Sequence, residues 1–315
     1  MENTTMENTR TKTTRNSLIL LLTAAIWGMA FVSQSKGMDY MHPFTFNGVR
    51  SLIGAASILV YILISRKIAG DKAAPLDWKL NVKAGLLCGI FLTIASTLQQ
   101  FGIKYTSVGK AGFITTLYII FVPMFGIFLK KKVAPVVWAA AVMAAVGMYL
   151  LCMTESLRLG AGDIMVFLCA IAFAIQIMTV DHYAAGIDGA VVSCIQFTVC
   201  GVVCCIGALI WGQPTFGQLQ EGLGALLYAG VLSCGVGYTL QIVGQKGLNP
   251  TVAALIMSLE SVIATISGWI AYKIGFLTTD QTLTARQIAG CVIVFAAVIL
   301  VQLPPEWFRF GKKNA

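Results

Sequence analysis

Two charged side chains fall inside apolar runs that are long enough to cross a membrane. Glu260 lies about ten residues into the run that begins near Pro250, and Arg50 lies about seven residues into the run that begins near Pro43. A carboxyl group in hydrocarbon is expected to be protonated or paired, so Glu260 could carry a proton or bind an amine. The planar fork of Arg50 suits capture of a carboxylate. Either residue could instead be structural, bonding to neighbouring helices or to backbone carbonyls.

Uncharged polar and aromatic side chains recur in the same runs. Buried amides can bind the polar groups of a substrate, although they also serve as hydrogen-bonding groups between helices. Gln34 and the amide and aromatic side chains named in the next sentence predict a polar cavity with aromatic walls. The predicted substrate site comprises Trp27, Phe31, Arg50, Gln99, Gln100, Tyr118, Gln176, Tyr238 and Gln241, and Glu260 is the predicted coupling or binding group.

Composition predicts an all-α integral membrane protein. The chain has 315 residues, of which 57% are hydrophobic and only 11% are charged, whereas a soluble domain has about 25% charged residues. The apolar runs do not show the alternation of a membrane-spanning β-barrel. The nine cysteines lie within apolar runs, and no His/Cys group has the spacing of a zinc site. We therefore expect no metal and no cofactor.

Ten apolar runs predict ten transmembrane helices between two short tails. The tails are a polar segment at residues 1–16, expected to be disordered, and a basic segment at residues 304–315. Short connections leave no room for a soluble catalytic domain. The predicted spans are about 17–36, 43–65, 82–104, 107–129, 133–153, 161–182, 188–211, 222–245, 250–273 and 284–303.

The distribution of basic residues predicts the orientation in the membrane. Fifteen of the 22 Lys and Arg residues fall in segments on the side of the N-terminus, and six fall on the other side. The positive-inside rule then places both termini in the cytoplasm, in a multi-pass protein of the plasma membrane. Because the charges are split among short loops, they suit contact with anionic lipids and not with nucleic acid.

A weak internal repeat relates the two halves of the chain. The segment QQFGIKYTSVGKAGFITTLYIIFVP at 99–123 matches QIVGQKGLNPTVAALIMSLESVIAT from residue 241 when the register is shifted by 142 residues. We call two residues that are 142 apart repeat mates. Gln99 and Gln241 are repeat mates, and so are Tyr118 and Glu260.

The repeat predicts two five-helix units, residues 17–153 and 161–303. An odd number of spans in each unit makes the second unit enter the membrane from the opposite face, so the repeat is inverted. Two inverted repeats around a central cavity can expose one site alternately to either side of the membrane.

Several segments resemble the drug/metabolite transporter superfamily, and its EamA-type branch in particular. They are AIWGMAF in the first span, Arg50 early in the second, KYTSVGKAGFITTLYIIFVP across the third and fourth, and SLESVIATISGW in the ninth. The resemblance covers about residues 17–303. It implies a ten-helix bundle with a central cavity and transport of amino acids, other metabolites or related solutes.

The predicted function is therefore secondary active transport, and not enzymatic catalysis. By the resemblance, the chain exports small polar metabolites such as amino acids by alternating access, with protons as the candidate coupling ion. The alternatives are a transporter of a sugar, an amine or a drug-like solute, a channel, and a membrane enzyme acting on lipid-linked substrates. Such an enzyme needs clustered His, Asp or Glu near one face, and only Asp181 and His182 come close. The expected partners are a small-molecule substrate and the lipid bilayer; the sequence predicts no oligomeric state.

The predicted orientation can be tested by labelling two introduced cysteines. Lys36→Cys and Lys72→Cys lie in segments that are assigned to opposite faces, so a membrane-impermeant thiol reagent should reach each from a different side. The measurement is labelling in intact cells compared with inverted membrane vesicles. Labelling of both positions from the same side would contradict the orientation.

Overall fold

The computed structural model describes residues 2–70, 75–106, 108–130, 133–152, 160–278 and 282–302, and among these the side chains of all but residues 2–11, 151–152 and 301–302. These residues form helices and short connections, with no strand among them. The helices are α1 (Glu2–Gly37), α2 (Pro43–Ala69), α3 (Trp78–Ile103), α4 (Val108–Thr116), α5 (Tyr118–Phe128), α6 (Pro135–Cys152), α7 (Ala161–Tyr183), α8 (Gly189–Gly207), α9 (Phe216–Glu221), α10 (Leu223–Leu227), α11 (Tyr238–Gln245), α12 (Pro250–Met257), α13 (Glu260–Lys273) and α14 (Ala285–Gln302). Two stretches, Ala208–Gly212 and Tyr228–Gly237, are π-helical.

The helices fall at the predicted spans. Within the described ranges, eight helical stretches are long and apolar enough to cross a membrane. The predicted fifth and tenth spans coincide with shorter apolar helices, Pro135–Leu150 and Ala285–Leu300. The all-α membrane fold is confirmed, and the count of ten spans stays a prediction.

The first helix is longer than the sequence predicted. It begins at Glu2, so the disorder expected for the polar tail is wrong. Once the apolar span has formed a helix, each added residue gains a backbone hydrogen bond without a new nucleation cost. The tail therefore continues the helix despite its polar composition.

Helix packing follows the repeat. Helix α2 packs against α8, and α6 against α14, and each of these pairs joins equivalent spans of the two units. Helix α3 packs against α7, while its repeat equivalent α11 packs against α1. Each helix contact therefore has an equivalent contact in which the two units have changed roles, as a pseudo-two-fold arrangement requires.

The fourth and ninth predicted spans are each broken near the middle. Helix α4 gives way to α5 at Leu117, and α12 gives way to α13 at Ser258 and Leu259. At both breaks the backbone tightens: the Leu117 N–H donates to the Ile114 carbonyl over 3.2 Å, and the Leu259 N–H donates to the Ile256 carbonyl over 3.3 Å. Leu117 and Leu259 are repeat mates, so the break belongs to the repeated architecture.

A hydroxyl side chain accompanies each break. The Thr116 hydroxyl donates to the Phe113 carbonyl over 2.9 Å, and the Ser258 hydroxyl donates to the Leu255 carbonyl over 2.7 Å. Both donors and both acceptors are repeat mates. Bonding of Ser and Thr to a preceding carbonyl competes with regular helix bonds and favours a local change of helix geometry.

Glycines allow α3 and α7 to approach closely. A Cβ atom added at Gly102 would lie 2.8 Å from the Gly162 carbonyl oxygen, and one added at Gly162 would lie 2.9 Å from the Gly102 carbonyl oxygen. The two backbones therefore touch, as in other membrane helix pairs with small residues at the crossing.

Replacing Gly102 should loosen this contact. We expect Gly102→Ala to lower the free energy of unfolding by about 1–3 kcal/mol, because the added methyl meets backbone that cannot turn aside. The measurement is thermal unfolding of the purified protein in detergent. Gly224→Ala is the control, since an added Cβ there meets nothing within 4 Å. Equal melting temperatures for the two variants would contradict the close contact.

Candidate functional site

A small cavity lies at the centre of the bundle, between the two repeat units. Its volume is about 40 Å³. Nine of the ten predicted site residues border it: Trp27, Phe31, Arg50, Gln99, Tyr118, Gln176, Tyr238, Gln241 and Glu260. The exception is Gln100, whose side-chain N–H donates to the Gln34 backbone carbonyl over 3.3 Å. Gln34 itself borders the cavity.

The two halves meet through a hydrogen bond between repeat mates. The Tyr118 hydroxyl donates to Glu260 Oε1 over 3.0 Å, and the two residues are 2% and 4% exposed. Tyr118 is the first residue of α5 and Glu260 the first of α13, each directly after a helix break. The helix N-termini at the breaks favour negative charge on a nearby carboxyl group. A bond between repeat mates also places this pair on the pseudo-two-fold axis.

Arg50 faces the same cavity without an acidic partner. Its Nε and Nη2 donate to Asn47 Oδ1 over 3.0 and 2.8 Å, and its guanidinium lies 5.5 Å from the centre of the Phe46 ring. In the described part of the chain, no carboxylate lies within ion-pair distance of Arg50, which is 5% exposed. Asn47 is oriented in turn by its own donation to the Ser96 hydroxyl over 3.0 Å.

Amides form a connected group along one wall of the cavity. Gln241 Nε2 donates to Gln176 Oε1 over 3.2 Å, and Gln176 Nε2 donates to Gln196 Oε1 over 3.4 Å. In the other unit, Gln99 Nε2 donates to the Thr115 hydroxyl over 3.1 Å. These bonds join neighbouring helices, so the amides connect helices as well as lining the space.

Aromatic rings form another wall. The Trp27 and Tyr238 rings lie 4.5 Å apart, and Phe197 meets Tyr238 edge-on at 4.9 Å. Trp27 Nε1 donates to the Ser233 carbonyl over 3.4 Å, within the π-helical stretch Tyr228–Gly237. The irregular helix thus supplies a carbonyl that holds a cavity-lining ring in place.

Part of the lining was not predicted, although the repeat register contains it. Phe173 borders the cavity and is the repeat mate of the predicted Phe31, as Gln176 is of Gln34. Extending the 142-residue register upstream of Gln99 would have identified Phe173. Arg50 differs, because its repeat mate is Val192 and the charge therefore occurs in one unit only.

The size of the cavity limits what it holds in this conformation. A volume of about 40 Å³ is far below the roughly 300–1,000 Å³ of typical small-molecule sites. A metabolite is larger, so its binding requires the lining helices to separate. Within the described ranges, no three His, Cys, Asp or Glu side chains are grouped to hold a metal ion.

Comparison with known proteins supports this architecture. The model of the EamA-like transporter family matches residues 15–153 and again residues 160–303. A crystal structure with 16% sequence identity superposes with a TM-score of 0.72, covering 94% of this chain and 99% of the other. At this identity the superposition bears on the fold alone.

Relatives in curated collections are similar along nearly their whole length. An uncharacterized transporter of Archaeoglobus fulgidus is 27% identical over 290 residues, which cover 90% of this chain and 84% of that protein. The uncharacterized transporter YwfM of Bacillus subtilis is 24% identical, covering 92% of this chain and 94% of its own. The prediction of a transporter and not an enzyme is thereby confirmed. With two copies of the family's repeat across almost its whole length, the chain belongs to the EamA-like transporter family.

Proposed function

We propose that the chain is a secondary active transporter that exports small polar metabolites such as amino acids across the plasma membrane by alternating access. Both termini lie in the cytoplasm in this proposal, as the basic residues predict. Export rests on the resemblance to the EamA-type branch. Protons are the proposed coupling ion, with Glu260 as their carrier.

The observation that carries the proposal is a buried arginine without a carboxylate partner, in the same cavity as a buried carboxyl group. Arg50 and Glu260 both border the central space, and Arg50 bonds only to a neutral amide among its described partners. A buried guanidinium is stabilised by a planar anion. An amino acid offers its carboxylate to Arg50, while amides and aromatic rings surround the remainder.

The architecture supports alternating access. Two related units share one central cavity, and each contributes a span that is broken beside it. Broken helices at the centre of inverted repeats are a recurring feature of secondary transporters. The small volume of the cavity means that substrate enters only when the units move relative to each other.

Glu260 has the surroundings that proton coupling requires. A carrier group must be able to lose and regain its proton during the cycle. Burial destabilises the charged form of a carboxyl group unless a hydrogen-bond or ion-pair partner is present. In this conformation the partner is the Tyr118 hydroxyl, a neutral donor. When the units separate, water can replace it.

The general test is transport by purified protein in liposomes. Amino acids, amines and sugars are offered in turn, with and without a pH gradient, and accumulation is compared with that in empty liposomes. Transport of an amino acid supports the proposal, and transport of only sugars or only amines would replace its substrate class.

Arg50 should recognise the carboxylate of the substrate. We expect Arg50→Lys to fold and to lower transport by about tenfold or more, a loss of about 1.4 kcal/mol, because lysine lacks the two-pronged geometry. The measurement is the initial rate against substrate concentration. Substrate esters that lack the carboxylate should be affected little by the same change.

Two further results decide between binding and structure at Arg50. A purely structural arginine predicts that Arg50→Ala lowers the melting temperature strongly, because the Asn47 side chain loses both of its bonds to Arg50. Unchanged transport in both variants would rule out the binding role.

Glu260→Gln should separate coupling from binding. The amide keeps the size of the side chain and still accepts the Tyr118 hydrogen bond, but it cannot exchange a proton. We expect the variant to lose accumulation driven by a pH gradient and to keep exchange of substrate at equal pH. Both are measured as isotope flux in liposomes.

Tyr118→Phe is the matched control for this experiment. It removes the donor and leaves the titrating carboxyl group, so accumulation should persist with an altered pH dependence. Normal accumulation in Glu260→Gln would contradict coupling at this residue, and loss of exchange as well would assign the carboxyl group to substrate binding.

A further inference from the structure

A second, larger cavity opens at the predicted cytoplasmic end of the bundle. Its volume is about 600 Å³, and its walls come from the end of α2, the start of α3, the connection between α7 and α8, and α11. We call it the vestibule; Arg66, Ala69, Asp77, Gly186, Val243 and Lys246 lie in its lining. This volume is within the range of sites for small molecules.

The equivalent place at the opposite end of the bundle is filled by aromatic rings. The Phe44 ring lies 5.1 Å from that of Phe101 and 5.5 Å from that of Trp211. We call these three residues the aromatic plug. His42 packs on the plug, 5.8 Å from Phe44 and 5.5 Å from Phe101. Burial, and to a lesser extent the charge of Lys104, lowers the pKa of His42, so that it adds a neutral ring at pH 7.

The repeat register explains why one end is open and the other is filled. The repeat mates of Phe44, Phe101 and Trp211 are Gly186, Val243 and Ala69, and all three of these smaller residues line the vestibule. The open space therefore arises where smaller side chains occupy the positions equivalent to the three aromatic residues, two of them in the second unit and one in the first.

An ion pair adds to the difference between the two ends. Lys110 Nζ lies 2.6 Å from Asp163 Oδ2, which joins the start of α4 in one unit to the start of α7 in the other. The Thr106 hydroxyl donates to Asp163 Oδ1 over 2.9 Å. The repeat mates of Lys110 and Asp163 are Val252 and Leu21, so the vestibule end has no equivalent ion pair at these positions.

Buried polar atoms run from the vestibule toward the central cavity. On α8, Ala190 lines the vestibule and Phe197 the central cavity, while Ser193 and Gln196 lie between them on the same helix face. Both are fully buried, and neither Ser193 Oγ nor Gln196 Nε2 has a hydrogen-bond partner among the described residues. Seven residues of helix span about 10 Å.

Helix α11 presents a second set of such atoms. Gln241 Oε1 and both polar atoms of the Gln245 side chain are buried without a partner in the described part of the chain. A buried polar atom that lacks a partner costs about 1–3 kcal/mol. The cost is recovered when water or a polar solute passes between α8 and α11 and supplies the missing bonds.

Among the described residues, the other end retains fewer buried polar atoms that lack a partner. They belong to Gln34, Thr45 and Gln100, and the last two are adjacent in the chain to plug residues Phe44 and Phe101. The repeat mates of Ser193, Gln196 and Gln245 are Ser51, Gly54 and Ile103. Among the described residues, fewer unpartnered polar atoms therefore lead from the central cavity toward that end, and the aromatic plug lies over them.

We propose that the vestibule is the cytoplasmic entrance of the transport route, and that it admits small polar solutes of zero net charge, such as zwitterions, to the central cavity. The inference rests on the proposed transport function. The charge preference follows from the lining, where Arg66 and Lys246 are matched by Asp77 and Asp188. Among these, Lys246 donates to the Ile187 carbonyl, and both aspartates cap helices.

The test compares two threonines that are repeat mates. Thr239 lines the vestibule, and Thr97 occupies the equivalent position at the plug end, where its hydroxyl lies 3.4 Å from Cys204 Sγ. Thr239→Cys and Thr97→Cys are reacted with small membrane-impermeant thiosulfonates in vesicles of known orientation. Peptide mass spectrometry separates the introduced cysteine from the native ones.

We expect Thr239→Cys to react from the cytoplasmic side at least about tenfold faster than Thr97→Cys reacts from either side; tenfold corresponds to about 1.4 kcal/mol. Adding Val243→Phe should remove the advantage, and adding Phe101→Val should make Thr97→Cys reactive from the outside. Ala69→Trp serves as a second way to fill the vestibule, should Val243→Phe fail to fold. Cationic and anionic reagents should react at rates in the same ratio as with free cysteine.

Equal reactivity of the two cysteines, or no effect of either filling variant, would overturn the entrance. A strong preference for one reagent charge would overturn the zwitterion assignment. Transport provides an independent measure: Val243→Phe should slow flux in liposomes, while Val243→Ile should not. If the wild-type protein moves none of the solutes offered, the proposed transport function fails, and the labelling still decides whether the vestibule is an entrance.

Discussion

Hydrocarbon offers no hydrogen-bond partner to an opened helix, so every interruption of a span must be satisfied by the chain itself. The two breaks beside the cavity meet this constraint in the same way. The hydroxyls of Thr116 and Ser258 bond back to carbonyls of the preceding turn, and the amides of Leu117 and Leu259 close tighter turns. These local bonds allow Tyr118 and Glu260 to begin new helices at the centre of the bundle. These few hydrogen bonds satisfy the backbone at both helix breaks where no water is available. The cavity depends on them, because the breaks lie beside it.

The two halves provide a shared scaffold, and their differences provide the chemistry. Repeat mates of similar character line the cavity, as with Phe31 and Phe173 or Gln34 and Gln176. The charged groups do not follow the repeat: Glu260 faces a tyrosine as its mate, and the mate of Arg50 is a valine. Symmetry thus positions the cavity between the units, whereas the departures from symmetry place one cation and one carboxyl group beside it.

Much of this arrangement could be predicted from the sequence, for physical reasons that are specific to membranes. Long apolar runs set the spans, and a carboxyl or guanidinium group within such a run must face a cavity or a partner, which correctly placed Arg50 and Glu260 at the central space. The match of Gln99 with Gln241 gave the register that relates the two units. The helix breaks were not predicted, because Thr and Ser, the residue types of Thr116 and Ser258, also occur in uninterrupted membrane helices. Gln100 was predicted to line the cavity as one of the amides within the spans, but it lies one step along the helix from Gln99, which turns its side chain by about 100° and directs it elsewhere.

In the proposed alternating-access cycle, the aromatic plug bears on the energy difference between the conformers that open to opposite sides of the membrane. If the halves were identical, the inward-facing and outward-facing conformers would be degenerate, and the protein would populate them equally. Phe44, Phe101 and Trp211 stabilise one closed end by contacts that Gly186, Val243 and Ala69 cannot make at the other. An aromatic pair contributes about 0.5–1.5 kcal/mol beyond the area it buries, so two such pairs shift a balanced equilibrium by about 5- to 150-fold. In the proposed cycle, three side-chain differences between the halves thus favour the conformer that is closed at the plug end.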